Sequence, residues 1–80
     1  MLNKDQKTQL EQALDTVSLR EKTEAVVRYR FGLGEQSNVH TLRETAEQFG
    51  MTHTGALYHE DEFFKAADLD KSHYVSSRGN

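Results

Sequence analysis

Residues 41–64 read TLRETAEQFGMTHTGALYHEDEFF. Thr41 and Glu44 stand three apart, the spacing of a capping box in which each side chain closes on the other's backbone amide. Leu42, Thr45, Ala46 and Phe49 then mark one face of a short helix. Gly50 stops it, because glycine takes positive φ without steric cost. Thr52 opens the next helix, whose apolar positions are Ala56, Phe63, Phe64 and Ala67. Gly55 in its first turn weakens that start by about 1 kcal/mol against alanine.

A helix-turn-helix imposes steric demands on such a pair. Counting from Leu42, the fifth position must be small where the helices cross, and Ala46 is small. The eighth must be apolar, as Phe49 is, and the ninth must turn the chain, as Gly50 does. Met51 plugs the space beneath the turn, and Ala56 meets the first helix. The last core position usually takes Ile, Leu or Val, and here holds His59. The pattern therefore supports a helix-turn-helix over about residues 42–67. A plain helix–glycine–helix hairpin is the blander reading.

Upstream, Leu10, Leu14 and Val17 recur at i, i+4 and i+7, so residues 4–17 are expected to form an amphipathic helix. Ser18 with Glu21 offers a further capping box. A second helix follows, with Leu19, Val26, Val27 and Tyr29 available for burial. It ends at "FGLG", where Gly32 and Gly34 permit left-handed geometry. "EQSNVH" reads as a polar loop. "DKSHYVSSRGN" has no periodicity, and residues 71–80 are expected to be a disordered tail. The fold class is thus all-α: a compact four-helix domain over residues 1–70 with a C-terminal helix-turn-helix.

Bulk properties narrow the function. Eighty residues hold one small core of limited stability. The chain lacks cysteine, so disulfides and Cys-based zinc sites are excluded, and it lacks proline, which suits helices. No apolar run would span a membrane, and the first residues lack a signal core, so a cytoplasmic protein is expected. The net charge is −3. Residues 52–70 hold one basic and five acidic side chains, so the acidity sits in the last helical stretch. Ser18, Ser37, Ser72, Ser76 and Ser77 have no His–Asp set beside them, and no enzymatic constellation is legible. His59 with Glu62 at i, i+3 supplies only two ligands, and no metal or cofactor is expected.

"VVRYRFGLG", a polar loop and "TLRETAEQFGMT" together resemble the C-terminal promoter-binding domain of bacterial RNA polymerase sigma factors. The resemblance covers about residues 10–60, with two separated motifs in the family's order and spacing. It implies a sigma-factor C-terminal-domain-like four-helix fold. In that family the last helix binds promoter DNA, while the preceding helices grip the flap of RNA polymerase. Lys22 and Arg30 fall where the family sets basic residues against phosphates. Such contacts position a protein without reading sequence.

After Thr52 the match decays. The family's arginines, suited to bidentate contacts with guanine, are replaced by His53, Thr54, Gly55, Ala56, Leu57 and Tyr58. Its basic continuation becomes Glu60, Asp61 and Glu62, of which Glu60 alone matches an acidic residue usual in the family. Carboxylates repel phosphates, and affinity for DNA rests on cation contacts. Two functional readings stay open. In the first, a small transcription regulator works with RNA polymerase and contacts DNA through residues 52–61, using Thr52, His53, Thr54 and Tyr58, with Lys22 and Arg30 on phosphates. In the second, a protein-only module docks on RNA polymerase or a sigma factor through Leu57, Glu60, Asp61 and Glu62 without reading DNA. His59 is expected to pack with its polar edge hydrogen-bonded. A pH-sensitive helix is the sharper possibility, since imidazole titrates near neutrality.

Overall fold

The computed structural model describes residues 3–34 and 38–74. Four α-helices follow in order: α1 (Lys4–Thr16), α2 (Glu21–Phe31), α3 (Leu42–Gln48) and α4 (His53–Ala67). A single 3-10 turn (Lys71–His73) comes after them, and there is no strand among the described residues. The all-α expectation holds. No helix among the described residues is long and apolar enough to cross a membrane.

The helix boundaries follow from local chemistry. α1 starts at Asn3, whose side chain accepts from the Gln6 amide while the Gln6 side chain accepts from the Asn3 amide. The expected box at Ser18 does not form. α2 begins at Glu21 behind Arg20, which provides no side-chain cap. Glu21 and Glu24 in its first turn, and Arg28 and Arg30 in its last, oppose the helix dipole instead. Gly32 ends α2 at φ +64°, and the amides of Gly32 and Leu33 both return to the Arg28 carbonyl. The Thr41–Glu44 box is present at α3. Gly50 turns the chain at φ +63°, and Thr52 Oγ1 accepts from the Gly55 amide to open α4.

α4 is the central helix and packs against each of the other three. Its inner stripe enters two clusters. Phe63 and Phe64 lie with Leu10, Leu14, Val27, Phe31 and Leu33. Ala56 lies with Leu42 and Ala46, under Met51 and Leu57. Full burial of each large apolar side chain stabilises the fold by roughly 1.5–3 kcal/mol. Leu57 and Phe64 are therefore both core-directed, one to each cluster.

The tail expectation is overturned for residues 71–74. The Gln6 amide side chain donates to the His73 carbonyl at 2.7 Å, and the Tyr74 hydroxyl donates to Gln9 Oε1 at 2.8 Å. The Tyr74 ring stacks on Phe64 at a centroid distance of 5.6 Å. These contacts join residues far apart in sequence, so no periodic signal announces them. Residues 75–80 of that tail, and residues 35–37 of the polar loop, lie outside the described residues.

Candidate functional site

The acidic run of α4 is built into the fold rather than displayed on it. Alongside Thr23, Val26, Val27 and Phe31, Arg30 lies on the inner stripe of α2 and is 1% exposed. Glu60 lies on the inner stripe of α4, between Ala56 and Phe63, and is also 1% exposed. Arg30 Nε donates to Glu60 Oε1 at 3.1 Å, and Arg30 Nη1 donates to the His40 carbonyl. The guanidinium also lies 5.1 Å from the centroid of the Phe31 ring. Burial pushes the Arg30 pKa down, and the Glu60 carboxylate opposes that shift. Two expectations fail here. Arg30 cannot reach a phosphate, and Glu60 cannot meet a partner, because each is enclosed and bound to the other.

The remaining carboxylates are neutralised at the rim. Lys71, from the 3-10 turn, lies 2.8 Å from Glu60 Oε2 and 2.6 Å from Asp61 Oδ1. Burial alone lowers its pKa, but hydrogen bonds to Asp61 and Glu60 outweigh that and raise it. Glu62 lies 2.7 Å from Arg20 Nη2 and accepts from the Thr23 hydroxyl at 3.2 Å. Its pKa is lowered, chiefly by the Arg20 hydrogen bond. Three cations, Arg20, Arg30 and Lys71, thus answer the three carboxylates of "HEDE". All three come from outside α4, which is why the run reads as a bare acidic patch in sequence.

His59 lies largely buried at the α2–α4 seam, its side chain 13% exposed and its Nδ1 2.8 Å from Thr23 Oγ1. The core position one residue on is Glu60. The expected hydrogen-bonded polar edge is present. Burial first, then the charges of Arg20 and Lys22, lower the His59 pKa, while Glu62 raises it.

The other residues read as candidate contacts are mostly exposed, with Leu57 the exception. His53, Thr54 and Tyr58 are exposed on α4, Tyr58 at 61%, and Lys22 is exposed at the start of α2. Thr52 is exposed too, with its hydroxyl engaged as the cap. Leu57 is half-buried against the Leu42 cluster rather than presented outward. Asp61 remains exposed but is tied to Lys71. Sequence reading missed Arg20, which sits beside both Glu62 and Tyr58. No sequence signal marked it, because its partner Glu62 lies 42 residues further along the chain. No group of three or more His, Cys, Asp or Glu among the described residues is placed to hold a metal ion.

No protein-family model matches this chain, and no curated protein is significantly similar to it.

Proposed function

We propose that the chain is a small transcription regulator that binds duplex DNA with the exposed rim of α4. On this reading α3, the Gly50 turn and α4 act as a helix-turn-helix of the sigma-factor C-terminal kind, working beside RNA polymerase. The observation that carries it is the internal neutralisation of Glu60, Asp61 and Glu62 by Arg30, Lys71 and Arg20. It removes the main objection to DNA binding, an open anionic recognition helix. His53, Thr54 and Tyr58 then offer hydrogen-bonding and apolar edges to a groove, and Lys22 offers a charge to a phosphate.

With these few cations, binding to bare DNA is weak and salt-dependent. Titration of a labelled random-sequence duplex at low and moderate salt measures it. The expected result is binding that weakens as salt rises, with a slope reduced by about 0.9 in Lys22→Ala. Purified RNA polymerase is assayed in parallel. Retention by polymerase with no DNA binding even at low salt overturns the DNA reading in favour of the protein-only module. The observation behind that second reading is the lack of any Arg or Lys among the outward residues His53, Thr54 and Tyr58.

A further inference from the structure

The seam between the start of α2 and the middle of α4 holds a chain of groups that a helix-turn-helix scaffold does not need. Glu62 Oε1 is the common acceptor. It takes a hydrogen bond from Arg20 at 2.7 Å and one from the Thr23 hydroxyl at 3.2 Å. Thr23 Oγ1 in turn is 2.8 Å from His59 Nδ1. A hydroxyl has one proton to give. With Thr23 donating to Glu62, the tautomer that completes the chain carries its proton on Nδ1 and donates to Thr23. His59 Nδ1 itself lies 4.0 Å from Glu62 Oε1. The imidazole is therefore one small movement from the carboxylate that now holds Arg20.

The charged and titratable groups facing His59 are Arg20 and Lys22 from the start of α2, and Glu62 and Tyr58 on its own helix. α1 and α3 supply none of the charges that bear on it. Arg20 is exposed, with 61% of its side chain open to solvent, and it is the cation of the set that is paired with Glu62.

We propose that His59 is a proton-operated switch for DNA contact: on taking a proton it claims Glu62, and Arg20 is released to bind a backbone phosphate. This rests on the DNA reading above and names how that same rim is regulated. The balance is simple. One proton enters at Nε2, the imidazolium and Arg20 then compete for a single carboxylate, and the rim gains one positive charge. Because the surrounding burial and cations hold the His59 pKa below its ordinary value, the switch operates on the acid side of neutrality. A released Arg20 and the existing Lys22 lie two residues apart at the mouth of α2, both able to meet phosphates.

The test is a salt titration of a labelled random-sequence duplex at pH about 7.5 and about 5.5. In the intact chain the slope of log affinity against log salt is expected to steepen by about 0.9 on acidification, the signature of one added phosphate contact. His59→Gln and Arg20→Gln both lose that increment. Because all three proteins are compared at the same two pH values, any pH response from elsewhere in the chain cancels. An equal increment in His59→Gln overturns the proposal. NMR of the DNA-free protein supplies an independent arm that needs no variant. The Glu62 carboxyl and Arg20 Nε signals are expected to move with the His59 titration midpoint, and their failure to do so overturns the switch. Coupled movement with no DNA binding at either pH overturns the phosphate step and the DNA reading together.

Discussion

At the scale of single residues, the decisive side chain is Glu60. Its two oxygens are divided between Arg30 Nε at 3.1 Å and Lys71 Nζ at 2.8 Å, inside an otherwise apolar stripe. Taking charges out of water costs nearly as much as their attraction returns, so the pair is no large net gain. Breaking it is another matter, because a buried charge is left unpaired. Glu60→Ala is expected to cost about 3–5 kcal/mol in urea unfolding. The double change Arg30→Met with Glu60→Leu is expected to cost much less than Glu60→Ala alone, since it leaves no orphaned ion. A double variant as unstable as the single one would show that packing, not charge, governs the site. The pair was legible in part. Positions 56, 60, 63, 64 and 67 share one helical stripe, as do 23, 26, 27, 30 and 31, so both charges stood on inner faces. Their mutual contact was not legible, because it joins residues thirty apart.

At the scale of elements, the turns show what local chemistry can and cannot announce. Gly32 and Gly50 look alike in sequence, and both take positive φ, +64° and +63°. Their surroundings differ. A Cβ on Gly32 would sit 2.7 Å from the Asn38 carbonyl oxygen, whereas nothing lies within 4 Å of one on Gly50. Gly50→Ala should therefore lose only the left-handed penalty of about 1–2 kcal/mol. Gly32→Ala is expected to lose more than that, because the backbone of residues 38–39 must also move. Equal losses in chemical denaturation would mean the loop before α3 yields freely. Helix ends marked by Thr41, Gly50 and Thr52 were readable because each depends on neighbours within four residues. The start of α2 was misread because Ser18 carries the right side chain two residues too early, while the true boundary at Arg20 has no capping bond to advertise it.

At the scale of the whole molecule, the last described residues close the structure. The 3-10 turn supplies Lys71 to Glu60 and Asp61, and Tyr74 caps Phe64 and reaches Gln9. A chain ending after Leu69 loses all of these. It is expected to melt on the order of 10 °C lower, given about 4–8 °C per kcal/mol for a domain of this size. An unchanged melting temperature would show that the four helices stand without the closure. The four-helix plan was present in the sequence as periodicity and caps. The closure and the neutralised acidic run were not, because each joins segments brought together only by the finished fold.

The same closure makes the Tyr74 ring a latch on the segment after α4. When it lifts from Phe64, Gln9 loses its partner and the backbone between Leu69 and Tyr74 is held chiefly by Lys71 on Glu60 and Asp61. A protease cutting within residues 69–74 is expected to sample that opening, so its cleavage rate reports how firmly one aromatic ring stays seated.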